Sequence, residues 1–339
     1  MAKTIREELF SKVYNWDNLL LAYHDSKLGK KNRDAIKIFD ENWEENLKTI
    51  QNSLINHTFT TSRYNSKLIY EPKERRIYIL PYNPDRIVQH ALMNILTPYF
   101  EKWFIADSYA CIKGRGQLKA SQRTMYAVRR NKYCLKCDIH HFYPSINQTI
   151  LYEMLKNKFK DENLLYLIKD IIYSFPGGAN VPIGNYTSQW FGNYYLTKLD
   201  NYVKQELHIH DYIRYCDDFL LFSDDKKYLH ECREKIGEFI DRELNLTYSK
   251  SDVFNIKQGI DFCGYRHFDN YILVRKSTSK REIRKIRKLT VKLENNLINR
   301  EKALAQIDSI YGWIIHANSY NLRKKMELDD VRKRVIAGI

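Results

Sequence analysis

Apolar and polar positions change period several times along the chain, and those changes divide it. Residues 1–60 read as helical and mixed in charge, which predicts a helical N-terminal extension over 1–65. "KLIYEPKERRIYILP" (67–81) then becomes Tyr- and Ile-rich around a basic turn, the pattern of a β-hairpin with Lys73, Arg75 and Arg76 near its tip. In "NPDRIVQHALMNILTPYFEKWF" a Pro and an Asp precede Val88, Leu92, Ile95 and Leu96, the spacing of an amphipathic helix. "CIKGRGQ" is a Gly-broken loop bearing Lys113 and Arg115, and a helix-like stretch follows it.

The middle of the chain alternates. "KYCLKCDIHHFYPSI" reads as a strand, a helix is expected near 148–160, "SFPGGANVPIGN" is a Gly-rich turn, and "TSQWFGNYYLTKLDNYVKQEL" a long helix. "HDYIRYCDDFLLFSDD" (210–225) reads as strand, tight turn, strand. This order predicts an α+β fold, with an antiparallel sheet covered by helices on one face. From Arg275 to Lys292 nine Lys or Arg oppose only Glu282, while Ile283, Ile286, Leu289 and Leu293 keep a helical apolar stripe. The opposite face, with Arg284, Lys285 and Lys288, is either a solvated surface or a track for phosphates. "ALAQIDSIYGWIIHANSYNLRKKM" completes a small C-terminal helical domain.

Composition adds a partner class. Lys and Arg outnumber Asp and Glu 56 to 41, a net charge of +15 that favours a polyanion, nucleic acid first. No apolar run is long enough for a membrane helix and no leader pattern opens the chain, so a cytoplasmic protein without a membrane partner is expected. Six scattered cysteines suit reduced thiols. Cys134 and Cys137 lie in strand-like sequence without a second ligand pair, which favours core packing over zinc.

The candidate chemistry lies in three carboxylates. Asp217 and Asp218 stand side by side between Tyr212, Ile213 and Tyr215 and the run Phe219–Phe222, where turn preference is a weaker explanation than it is for Asp224 and Asp225. Two carboxylates in such a setting repel unless a cation compensates them, and Mg²⁺ suits oxygen ligands. Asp138, between "YCLKC" and "HHFY", has a similar setting. If the fold pairs the two segments, three carboxylates can hold two Mg²⁺ ions, one beside an attacking hydroxyl and one beside a triphosphate.

"YCDD" resembles the YxDD signature of reverse transcriptases, and "DIHHFYPSI" resembles their first catalytic strand motif. "DRIVQHAL", "SYACIKGRG", "PIGNYTSQWFGNYYLTKLD", "GIDFCGY" and "SIYGWIIHANSYNLRKK" are similar to further motifs of that family in the right order, covering about residues 65–320. The resemblance implies a right-hand polymerase: fingers over 66–131 with part of 148–178, palm over 132–147 and 179–272, and a helical thumb over 273–339. It implies Asp138, Asp217 and Asp218 as catalytic metal ligands, with the carbonyl of Ile139 adding an oxygen. Tyr143 matches the aromatic that sits under the sugar and selects deoxynucleotides. Either Arg75 or Arg76 takes the place of a triphosphate-binding Arg, and Lys250 that of a lysine that protonates pyrophosphate. Lys73, Lys113 and Arg115 are expected near phosphate or template.

Ile183 stands where group II intron and retroviral enzymes carry Gln, and Ser188-Gln189 where they carry Ser-Pro. "PIGNYTSQ" is similar instead to reverse transcriptases of diversity-generating retroelements, which copy a template-repeat RNA into cDNA with errors at adenines. The retron elements NAxxH and VTG are not seen, and an end at Ile339 is expected to leave no room for a maturase or endonuclease domain. Ile183 offers shape where Gln offers a hydrogen bond, an expected source of low fidelity, with Gln189 supporting the same pocket. The resemblance implies template RNA, cDNA or primer and dNTPs as partners, together with an oligomeric accessory variability protein. Another bacterial reverse transcriptase, or a non-catalytic RNA-binding scaffold, are the other readings; the intact carboxylates oppose the scaffold.

Overall fold

The computed structural model describes residues 4–70 and 74–337, so Lys73 of the expected hairpin lies outside the described residues. Near the N-terminus the helices Trp16–Ser26, Asp34–Glu41 and Trp43–Ile55 bury Leu19, Tyr23, Phe39, Leu47 and Leu54, apolar positions three, four or seven apart within each helix. Trp16–Ser26 packs on Ile87–Trp103, which carries the anticipated stripe of Val88, Leu92 and Leu96. Ile5 is tied by backbone bonds to Lys158 and Lys160 (2.7 and 3.0 Å). Asp161 accepts from the backbone N–H of Leu9 and Phe10, both at 2.7 Å, and also caps the helix Glu162–Tyr173 through Asn163 and Leu164. One carboxylate thereby joins the N-terminal segment to the following layer.

Strands β1 (Asn65–Ile69) and β2 (Arg75–Ile79) form the expected hairpin. The central sheet contains β3 (Tyr133–Ile139), β4 (Tyr212–Tyr215), β5 (Asp218–Ser223) and β6 (Tyr248–Asn255) in the order β4-β5-β3-β6, antiparallel throughout. Alternation along β3 sends Leu135, Cys137 and Ile139 into the main core. Cys134 points the other way, with Ile213, Leu220 and Phe222, into a second core. That core is roofed by the helix Gln117–Val128 and by a small sheet of β7 (Ile260–Phe262), β8 (Tyr265–His267) and β9 (Ile272–Val274). The α+β class is as expected, but cover on one face is not: the second face is roofed as well. Buried Cys134 and Cys137 are core thiols, pointing to opposite faces.

The expected long helix is interrupted at Leu196, into Tyr186–Tyr195 and a continuation through Glu206. The last four helices, Lys276–Glu294, Arg300–Ile314, Tyr320–Met326 and Leu328–Ala337, have their own core of Ile286, Leu289, Ile307, Ile314 and Leu328. They meet the small sheet where the Tyr265 ring stacks on Trp313 at 4.8 Å. Among the described residues no helix is long and apolar enough to cross a membrane.

The β1–β2 hairpin is seated by its backbone. Tyr78 N–H donates to the carbonyl of Ile183 at 2.9 Å, and Tyr78 packs on Phe175 at 4.7 Å between ring centroids. The adjacent Gly184 has φ +126°, and a Cβ there would lie 2.0 Å from the Tyr78 carbonyl oxygen. Only glycine permits this approach. Gly184→Ala is expected to cost about 2 kcal/mol or more, read as a thermal midpoint lowered by several degrees and faster hydrogen exchange over Arg75–Ile79.

Candidate active site

β4 and β5 pair Tyr215 with Asp218, which leaves Cys216 and Asp217 as a two-residue turn. Cys216 takes φ +59°, the left-handed first position that suits the twist of such a hairpin. The register of β3 on β5 sets Asp138 opposite Asp218, and Ile139 N–H donates to the carbonyl of Asp217 at 3.3 Å. Residues paired in this way share a face of the sheet. The fold therefore pairs the two segments, as the sequence required for a three-carboxylate site.

Each carboxylate has a different environment. Asp138 accepts a hydrogen bond from Ser249 Oγ, from the neighbouring strand β6. Asp218 Oδ2 lies 3.3 Å from Lys136 Nζ, which also donates to the carbonyl of Asp261 at 2.6 Å. Asp218 Oδ1 is buried without a hydrogen-bond partner. Burial pushes the Asp218 carboxyl up to about 6, with the charges of Asp138 and Asp217 adding to the rise and Lys136 opposing it. Asp217 is raised too, by burial first and then by Asp138, against the opposing charge of Arg75.

Among the described residues no three His, Cys, Asp or Glu side chains converge closely enough to cage a metal. The three aspartates border one end of the sheet, with Lys136 engaging Asp218 and Ser249 engaging Asp138. This still fits Mg²⁺, which keeps several waters and takes one or two carboxylates together with substrate phosphates. The orphaned Asp218 Oδ1 is an oxygen of the required kind.

Other expected residues fall around this turn or away from it. Tyr143 is half-buried, its hydroxyl 3.5 Å from Cys216 Sγ. Its ring edge is 3.0 Å from where a Cβ of Gly192 would stand, so that glycine makes room for it. Gln189 is exposed and lies one turn before Gly192 on the same helix face. Ile183 is fixed by the Tyr78 bond. Arg75 and Arg76 are both exposed and, as neighbours in β2, point to opposite faces; Arg75 is the one whose charge acts on Asp217, whereas Arg76 Nη1 lies 3.4 Å from Ser66 Oγ. Lys250 is exposed and directly opposite Asp138 in the β3–β6 register.

Lys113 is exposed in its loop. Arg115 differs from expectation: its Nη1 donates to the carbonyls of Ile105 (2.6 Å) and Ser108 (2.7 Å), so its guanidinium braces the loop instead of standing free for phosphate. Arg284, Lys285 and Lys288 are exposed in the C-terminal helices and are not brought to the carboxylates; Lys285 lies 3.6 Å from buried Glu282. Asp225 caps the helix Lys226–Leu244 through Lys227 and Tyr228 N–H, a structural duty as anticipated for the trailing pair. Lys136 and Ser249 were missed. For Lys136 a signal existed, since it is two residues before Asp138 and so on the same strand face.

Residues 65–267, from β1 to the end of β8, match the family model of reverse transcriptase (RNA-dependent DNA polymerase). The chain belongs to this family. It is 28% identical over 197 residues to the retron Ec73 reverse transcriptase of Escherichia coli, covering 53% of this chain and 60% of that protein. Over 176 residues it is 21% identical to nuclear intron maturase 4, mitochondrial, of Arabidopsis thaliana, covering 49% and 22%. The chain thus spans less than two thirds of either relative. A solved structure of telomerase from Candida albicans with the TWJ fragment of telomeric RNA aligns with 84% of this chain and 61% of that one, at 13% identity and a TM-score of 0.49. Reverse transcriptase domains generally use divalent metal ions.

The raised Asp218 carboxyl has a consequence for stability. It holds its proton to higher pH when folded than when unfolded, so the native state loses stability as pH rises from about 4 through about 6. In chelator, Asp218→Asn is expected to melt above wild type at pH 8, by about 1–2 kcal/mol after allowance for residual solvent contact. The gap closes below about pH 4; thermal melts across pH check it.

Proposed function

We propose that the protein is an RNA-directed DNA polymerase of a diversity-generating retroelement, copying template-repeat RNA into cDNA mutagenised at adenines. The observation that carries polymerase chemistry is the β3–β5 register, which sets Asp138 beside Asp218 with Asp217 on the adjoining turn. The β1–β2 hairpin and the surfaces around it serve as fingers, the central sheet as palm and the last four helices as thumb. Asp138, Asp217 and the carbonyl of Ile139 would hold two Mg²⁺ ions, with Asp218 in support; bound there, they would supply Lewis-acid chemistry for a primer hydroxyl and a triphosphate.

The chain's own residues position the reactants. Arg75, whose charge acts on Asp217, takes triphosphate oxygens, for which a planar guanidinium is suited. Tyr143, fitted against Gly192 beside the turn, forms the wall under the sugar. Ile183 borders the nascent pair with shape alone, and Gln189 lines the same side. Lys250, on the open strand face across from Asp138, delivers a proton to the leaving pyrophosphate. Lys113 and the exposed Arg284, Lys285 and Lys288 follow template and primer phosphates. By resemblance the enzyme works with an oligomeric accessory protein.

The retroelement assignment rests on Ile183 and the Ser188-Gln189 pair. The 28% identity to a retron enzyme favours a second reading, a bacterial reverse transcriptase making cDNA for another purpose. Primer extension on RNA with dNTPs and Mg²⁺, followed by cDNA sequencing, tests both. Wild type is expected to extend with substitutions concentrated at template adenines, and Asp217→Ala to lose at least about a thousandfold in rate. Evenly spread errors would leave the polymerase and remove the retroelement assignment. Arg75→Ala is expected to raise the dNTP KM about tenfold and Arg76→Ala to change it little; steady-state kinetics at varied dNTP reads the difference.

A further inference from the structure

Behind the Cys216–Asp217 turn lies a fully buried ion pair. Arg214, on β4, and Asp200 are both 0% exposed. Arg214 Nε and Nη2 donate to the two oxygens of Asp200 at 2.7 Å each, and Tyr212 Oη donates to Asp200 Oδ1 at 2.8 Å. Nη1 donates to Asn193 Oδ1 and to the carbonyl oxygen of Cys216, both at 3.1 Å, and Nη2 also reaches the Asn193 carbonyl at 3.4 Å. All five guanidinium N–H groups are therefore used. Asn193 is held in turn, its amide donating to the Ala110 carbonyl at 2.8 Å. Of these bonds the one to Cys216 leaves the core and enters the turn. Its carbonyl belongs to the peptide linking Cys216 to Asp217, so fixing it sets the plane from which the Asp217 side chain departs.

Stability alone does not call for such a pair, since apolar replacements of similar volume are often neutral or stabilising. We propose that Arg214 is a positioning residue for polymerisation: braced by Asp200 and Asn193, it holds the Cys216 carbonyl, keeps the left-handed turn in one conformation and so aims Asp217. This rests on the reading of Asp217 as catalytic. The resting geometry implies that loss of the Nη1 bond slows the chemical step while nucleotide binding is kept.

Two variants separate aim from stability. Arg214→Met with Asp200→Leu and Tyr212→Phe replaces the ion pair by apolar side chains, with Asn193 and its bond to the Ala110 carbonyl kept. Arg214→Lys keeps a cation for Asp200 but lacks the fork that spans to Cys216. Each is measured for thermal midpoint, and for kcat and dNTP KM in primer extension on RNA. The expected result is a kcat lower by about tenfold or more, a KM within about threefold and, for the triple variant, a midpoint close to wild type. A wild-type kcat in either folded variant overturns the proposal, and should the triple variant not fold, Arg214→Lys decides by the same criterion. Asp217→Ala is assayed alongside: full activity there removes the catalytic reading itself, whereas an inactive Asp217→Ala with fully active Arg214 variants removes only the positioning role.

Discussion

Asp138 and Asp218 are neighbours across two hydrogen-bonded strands, and like charges so placed destabilise a sheet. Much of the surrounding structure answers that constraint. Lys136 reaches Asp218 from the same strand face, Ser249 donates to Asp138 from β6, and Asp217 is displaced onto a turn instead of a third register position. These contacts offset the repulsion only in part. Asp218 remains raised and one of its oxygens unpaired, so the site retains an unmet demand for positive charge.

The second core lies on the same sheet face as these carboxylates. Helix Gln117–Val128 and the β7–β9 sheet cover Cys134, Leu220 and Phe222, and Lys136 links that cover to Asp218. A sheet with one bare face would leave a broad shallow surface. Here the Asp261 carbonyl that receives Lys136 comes from the covering sheet itself, so the cover extends to the carboxylates.

How much of this was legible in the sequence depended on range. The β1–β2 hairpin, the stripe of Val88, Leu92 and Leu96 and the strand–turn–strand of 210–225 follow local patterns, and all form, with the turn at Cys216–Asp217 and Asp218 already in β5. That Asp138 meets Asp218 followed from family resemblance, because no local pattern specifies which strand pairs with which. Arg75 and Arg76 could not be separated until the register of β2 set them on opposite faces. The double cover of the sheet was missed because β7–β9 are three-residue strands whose partners are set by tertiary packing. Arg115 looked like any basic loop residue, and its use as a brace depends on where Ile105 and Ser108 turn.

The joint between the β1–β2 hairpin and the 182–185 loop is made of main-chain atoms: the N–H of Tyr78, the carbonyl of Ile183 and the bare Cα of Gly184. Such a joint does not depend on which side chain position 183 carries. The side chain at 183 is therefore open to variation while assembly stays constant, and a lineage can change it without renegotiating how the hairpin is attached.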